Sequence, residues 1–279
     1  MQVGSMTSLA ATLSIDQRGP SALYLITDSR ITWDTSTKRW DAGKKAFASR
    51  TMPDIFGFCG DAYFPPLILH QILEQLDLGL LCATDLDVGG RHSCAIERLQ
   101  YAISKRIEAP IQPFSVFHGT REGEFMNSRF RLWETTYLVA TNRWFDKEID
   151  LSEDHSYLVH IDGSGRNIIE NRSRDWISTT AEGTSRAAIW SFCDALASGK
   201  DTHSGGPPQL VGIWRKGPAR NFGFVWEEKR YVAGLEVPNG AIWNKIDWFN
   251  RLFERCDGET GNVLKTAQRH PKPIPDSTH

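Results

Sequence analysis

Thr7-Ser8-Leu9-Ala10-Ala11-Thr12-Leu13, then Asp16-Gln17-Arg18-Gly19-Pro20-Ser21, then Ala22-Leu23-Tyr24-Leu25-Ile26-Thr27-Asp28-Ser29-Arg30, is the stretch that sets the reading of this chain. Two apolar runs, Ser8–Leu13 and Ala22–Thr27, flank a segment whose aspartate and Gly-Pro pair make it a hairpin turn. Asp28 and Arg30 stand where the second strand ends, and Lys44-Lys45 where a third begins. A hydroxyl at the start of the first strand, a carboxylate and an ammonium are thereby expected at one edge of an antiparallel sheet. That set suits a nucleophile on an N-terminal residue whose own α-amine serves as base.

Working outward, the 279 residues allow one large domain or one domain with additions. A charged fraction of 24%, a hydrophobic fraction of 40% and a net charge of −2 give no electrostatic case for nucleic acid or an anionic membrane. No apolar run is long enough to span a bilayer, and residues 1–15 lack a signal-peptide pattern. Cys59, Cys82, Cys94, Cys193 and Cys256 are odd in number and contain no C-x-x-C pair. They argue against a disulfide framework and a zinc site, and fit a reducing cytoplasm. No metal and no cofactor is expected.

Residues 1–6 read as a prefix or propeptide, 7–253 as the domain, and 254–279 as a disordered tail. After the hairpin, strands are expected at Lys44–Arg50 and Ile55–Gly60, with Asp61 capping a helix over Ala62–Leu81 and a second helix over Ser93–Glu108. The period then changes to two, predicting strands at Phe114–Phe117, Phe130–Leu138, Tyr157–Ile161, Asn167–Asn171 and Trp176–Ala181, with Ala140–Asp154 a charged insertion. Asp162-Gly163-Ser164-Gly165 reads as a hairpin turn with no helix after it. A helix from Thr184 to about Gly199, strands Gln209–Trp214, Phe222–Glu227 and Arg230–Leu235, and a helix over Trp243–Phe253 complete the chain. Paired helices between blocks of antiparallel strands suggest two sheets face to face with helices outside, a four-layer α/β/β/α sandwich of the α+β class.

Five separated motifs resemble those of the proteasome β-subunit and HslV-like threonine peptidases, a family of N-terminal-nucleophile hydrolases. They are Thr7-Ser8-Leu9-Ala10, Asp28-Ser29-Arg30-Ile31-Thr32, Lys44-Lys45, Asp201-Thr202-His203-Ser204-Gly205-Gly206 and, more weakly, Phe58-Cys59-Gly60-Asp61-Ala62. The resemblance implies that Thr7 Oγ attacks the scissile carbonyl, and that Lys45, held charged by Asp28, lowers the nucleophile's pKa. It implies that Asp201 and Ser204 orient the threonine, that the Gly60 N–H serves the oxyanion, and that Arg30 and Gly205 support the site. Phe58 and Ala62 would line the substrate pocket, and Glu182 or Thr184 would replace a serine that the family carries in a Gly-Ser-Gly segment. The implied protein is a cytoplasmic endopeptidase acting on peptides or unfolded proteins inside a homo-oligomeric ring, with a partner ATPase. Thr7 follows Met6, so its amine is free only if the prefix is removed. The alternatives are a catalytically silent subunit and an amidohydrolase acting on a small amide. His203 needs no catalytic role, and Cys59 reads as a small buried filler.

Overall fold

A computed structural model describes residues 7–33, 38–83, 86–151, 154–177 and 179–267. The prefix and the residues after 267 lie outside the described residues. In chain order the strands are β1 Ser8–Asp16, β2 Gly19–Thr27, β3 Ile31–Trp33, β4 Lys38–Trp40, β5 Ala46–Ala48 and β6 Asp54–Gly60. Helices α1 Phe64–Asp77 and α2 Val88–Ser104 follow, then β7 Phe114–Glu122, β8 Arg129–Leu138, β9 Arg143–Ile149 and β10 Tyr157–Gly163. After α3 Arg166–Arg174 and α4 Ser185–Ala197 come β11 Gln209–Trp214, β12 Arg220–Trp226, β13 Lys229–Val232, β14 Leu235–Glu236, β15 Trp248–Asn250 and β16 Arg255–Cys256.

One sheet runs β10-β1-β2-β11-β12-β13-β14, with β15 added parallel to β12 and β16 antiparallel to β15. A second runs β5-β6-β7-β8-β9, and β3 and β4 form a small ribbon. Alternation along β1 explains how the sheets meet. Leu9, Ala11 and Leu13 point one way and pack with Leu23, Leu25, Val211 and Ile213 against Ile55, Phe117 and Leu132 of the second sheet. Ala10 points the other way, with Tyr24, Ile26 and Leu210, toward Ile169 of α3 and Ile189 and Phe192 of α4. Behind the second sheet, Phe56, Phe58 and Val116 pack on Leu69, Ile72 and Leu73 of α1 and Leu99 and Ile103 of α2.

The expected four-layer α/β/β/α sandwich is corrected. Among the described residues the chain is β-rich, with sixteen strands in several antiparallel sheets and only four helices. α3 and α4 pack chiefly over β1 and β10, and Phe222, Phe224, Phe249 and Phe253 complete that apolar face. Three local expectations also change. Residues 167–171 are helical, because Ile168 and Ile169 dock on the sheet as part of α3 rather than alternating across a strand. Residues 176–181 are turns in the described part, and 243–253 hold a single 3₁₀ turn and β15, whose Trp248 and Phe249 pair with Gly223 and Phe224. The insertion at 140–154 contributes β9, a mostly exposed edge strand rich in charge, and residues 254–267 of the expected tail hold β16 and turns. No helix among the described residues is long and apolar enough to cross a membrane.

Candidate functional site

Thr7 immediately precedes β1, so its position is fixed by the two strands that flank β1. Ser8 pairs with Gly163 of β10, and Leu9 with Thr27 of β2. The end of β2 therefore brings Asp28 beside Ser8, whose amide donates to Asp28 Oδ1 at 3.1 Å. Lys45 enters from the segment before β5. Its ammonium donates to Asp28 Oδ1 at 2.7 Å and to Thr7 Oγ1 at 3.0 Å. The Lys45 and Asp28 side chains are 1% and 0% exposed, so this ion pair is fully desolvated. The Asp28 carboxylate also accepts the Arg30 and Gly205 amides through Oδ2, each at 3.0 Å. Four donors on one buried carboxylate fix its orientation.

A second network reaches Thr7 from the other side. Asp201 Oδ2 accepts hydroxyls from Ser204 at 2.7 Å and Ser164 at 2.6 Å. Since Ser204 and Ser164 both spend their protons on that carboxylate, Ser8 is left to donate to Ser204 Oγ at 2.7 Å. Ser164 Oγ likewise turns lone pairs toward the Thr7 nitrogen, 3.5 Å away. Ser164 is further held by its own amide, which donates to the Thr7 carbonyl at 2.8 Å. Asp201 and Ser204 thus act on Thr7 through Ser164 and Ser8 rather than by direct contact.

Ser164 is the functional residue that the sequence reading passed over. It lies in Gly163-Ser164-Gly165, the Gly-Ser-Gly sequence sought at residues 181–184, and a helix, α3, does follow it. Gly163 has φ +95° and a side chain there would strike the Thr7 carbonyl; one on Gly165 would lie 2.0 Å from Ser8 Oγ. Gly163 is required because the Thr7 backbone comes this close, and Gly165 because the Ser8 side chain does. Glu182 and Thr184 are corrected accordingly. The Ser156 amide donates to Gly183 and the Ser156 hydroxyl accepts the Ile15 amide, which puts this turn at the far end of β1. Eight residue steps along the strand separate Ile15 from Thr7, about 26 Å at the usual rise. Thr184 instead caps α4, accepting the Ala187 amide.

Gln209 was also missed. At the start of β11, its buried carboxamide donates to the Asp28 carbonyl, Ser29 Oγ and the Gly43 carbonyl, and accepts the amides of Lys45 and Ala46. One side chain therefore ties the Asp28 segment to the Lys45 segment. Arg30 grips Asp41 at 2.7 and 2.9 Å and the Thr202 and Ser204 carbonyls at 3.2 Å. Its guanidinium lies against Gly205, where a side chain would come within 2.4 Å. Gly60 ends β6 with φ +99°, and its lack of a side chain is demanded by the Pro113 carbonyl, 2.3 Å from where a Cβ would stand. Phe58 is corrected as a pocket residue. It is 1% exposed and packs under α1 and α2, while Cys59 faces the cleft between the sheets. Ala62 is partly exposed in the turn before α1, beside Asp61, which accepts the Tyr63 and Phe64 amides. Burial pushes the Cys59 thiol well up from its ordinary value, so it stays protonated and unreactive.

No family model matches the chain, and no curated protein matches it. Among solved structures, the Anbu (Gly-1) mutant from Hyphomicrobium sp. strain MC1 is similar at 12% identity and a TM-score of 0.48, over 77% of this chain and 86% of that one. A likeness this remote does not support membership of the proteasome β-subunit and HslV-like family. The family expectation drawn from the five motifs is corrected to a distant structural similarity.

Proposed function

We propose that this chain is an amide-bond hydrolase acting on peptides, with Thr7 Oγ1 as nucleophile and the Thr7 α-amine as base once the residues ahead of it are removed. The observation that carries the reading is the buried Lys45 ammonium, 3.0 Å from Thr7 Oγ1 and 2.7 Å from Asp28. A threonine hydroxyl is a poor nucleophile, and an ammonium donating to it in a desolvated site lowers the cost of developing negative charge on oxygen. The α-amine takes the hydroxyl proton as Oγ1 attacks the carbonyl carbon. That proton then passes to the departing amine as the C–N bond breaks, leaving an ester on Thr7. Water, deprotonated by the same α-amine, cleaves the ester and restores the hydroxyl. Ser164 Oγ, whose proton is committed to Asp201, would accept a hydrogen bond from the amine and hold its lone pair toward Oγ1. The Gly60 N–H is the proposed donor to the oxyanion.

A second reading rests on Thr7 itself. While Met6 is attached its nitrogen is an amide, which cannot act as a base, and Thr7 is only 1% exposed. In that state the chain would be a silent subunit. N-terminal mass spectrometry on untagged protein, followed by peptide-library hydrolysis by the wild type and by Thr7→Ala, tests the proposal. Thr7 at the terminus with activity lost in Thr7→Ala supports the enzyme. Residues retained ahead of Thr7 in the assembled protein, or activity surviving Thr7→Ala, overturns it.

A further inference from the structure

Beneath α2, far from Thr7 in the fold, a chain of four titratable groups crosses the outer face of the five-stranded sheet. His118 Nε2 lies 2.9 Å from Asp54 Oδ1, His118 Nδ1 lies 3.0 Å from His92 Nδ1, and His92 Nε2 lies 3.1 Å from both oxygens of Asp146. The imidazoles are 3% and 1% exposed. They sit in a stack of flat groups, with Phe56 on His118 at 4.2 Å, Trp133 on His92 at 4.5 Å, and the Arg131 guanidinium over Trp133 at 4.5 Å. Nothing in the proposed catalytic cycle uses this cluster.

The heavy atoms fix a proton count. The chain contains three contacts of hydrogen-bond length, between Asp54 and His118, between the two histidines, and between His92 and Asp146. Each needs one proton, so three are required, whereas two neutral imidazoles carry two. A missing proton would leave two lone pairs facing one another, with no water to replace it at the two inner contacts and beside the half-exposed Asp146 at the outer one, and a fourth would set two N–H groups head to head. We propose that His92 and His118 share one proton across their Nδ1 atoms, making a monocation that latches α2 to the sheet. The charges agree. Two carboxylates and the shared cation sum to −1, and Arg91, 3.5 Å from Asp54 Oδ2, brings the cluster to zero. The other charged neighbours pair among themselves, Arg131 with Glu148 at 2.7 Å and Arg121, which also feels Asp54, with Glu124 at 3.1 Å. Thr120 and Thr135 hydrogen-bond Arg91 and Asp146. The aromatic faces on either side favour a cation between them.

Burial, reinforced by the His118 charge, moves His92 from 6.5 to about 4, so the second proton is resisted until the medium is well acidic. For Asp54, burial acts to raise the pKa, but the hydrogen bond and charge of His118 together with Arg91 outweigh it and leave it lowered. The three contacts set the proton content of the closed latch at one more than two neutral imidazoles carry. With α2 lifted away the two imidazoles no longer share a proton and titrate separately, holding two extra protons in acid, one at intermediate pH and none in alkali. Protons thus favour opening on the acid side, and their loss favours opening on the alkaline side. The latch is tightest between these limits, where the open state also holds one extra proton. On each side, opening rises toward a limit of about tenfold per pH unit.

Hydrogen exchange of the α2 amides in the full chain between pH 5 and 8.5, corrected for intrinsic exchange, tests this without reaching carboxylate titration. The expected result is an opening constant with a minimum inside this range in the wild type and a flat profile in His92→Gln/His118→Gln. A monotonic wild-type profile overturns the proposal. Because the double variant could fail to fold, ¹⁵N-histidine spectra of the wild type at pH 6.5 provide a second check. Both Nε2 atoms protonated, with one proton divided between the two Nδ1 atoms, is the expected pattern. Two bare or two fully protonated Nδ1 atoms refute it.

Discussion

Replacing Lys45 with methionine gives the most direct test of how the centre is held together. Methionine keeps most of the volume of the lysine stem, so packing is nearly conserved and the change is one of charge. Lys45→Met strips Asp28 of its counter-ion in a place where the carboxylate is 0% exposed and water cannot replace it. Breaking a buried pair from one side costs about 3–5 kcal/mol. Three backbone donors remain on Asp28, from Ser8, Arg30 and Gly205, which sets the expectation near the lower end, about 3 kcal/mol. Asp28→Asn alone should cost a comparable amount, because it strands the ammonium and turns an N–H₂ toward backbone donors. The double variant Lys45→Met/Asp28→Asn removes both charges, so its loss should fall short of the sum of the singles by about 1–3 kcal/mol. Urea unfolding at pH 7, read as midpoint and slope, measures all three variants. A single-variant loss under about 1 kcal/mol, or additivity within about 0.5 kcal/mol, would refute the account of a desolvated, mutually dependent pair.

Ser164→Ala should lower kcat of the processed protein by about tenfold or more with little change in stability, since the lost hydrogen bond orients the amine and is worth about 1–2 kcal/mol; steady-state peptide hydrolysis reads it. Thr184→Ala is its counterpart: it removes the α4 cap at a cost of about 1 kcal/mol in urea and leaves kcat within about twofold, because that residue lies at the other end of β1. Gly165→Ala should destabilise by about 1–3 kcal/mol through its clash with Ser8 Oγ, and adding Ser8→Ala should recover part of the loss, since the Ser8 Cβ is 3.3 Å away. Equal losses in the single and double variants would mean that the strain lies elsewhere.

How far these features could be read in advance depended on whether they were local. The β1–β2 hairpin follows from two apolar runs and a turn, and its register alone brings Thr7 and Asp28 together. Lys45 could be placed because the chain reverses at Gly43, whose amide bonds the Ser29 carbonyl. Asp201 and Ser204 stand in a distinctive segment, but the route from Asp201 to Thr7 passes through Ser164, more than thirty residues earlier in the chain, and no local pattern marks that encounter. The turn at 162–165 was legible as a turn; the helix after it was not, since Asn167-Ile168-Ile169-Glu170-Asn171 has adjacent apolar residues that satisfy neither period over so short a run. Gln209 illustrates the same limit. An amide at the head of an apolar strand looks unremarkable until five hydrogen bonds converge on it. The histidine latch is the extreme case: Asp54, His92, His118 and Asp146 come from β6, α2, β7 and β9, so only assembly of the sheet beneath α2 gives them a common proton. Hydroxyls, amides and imidazoles acquire their roles here from what the fold sets opposite them. The two centres therefore predict different failures: the site at Thr7 through loss of one buried charge, and the latch through gain or loss of a single proton.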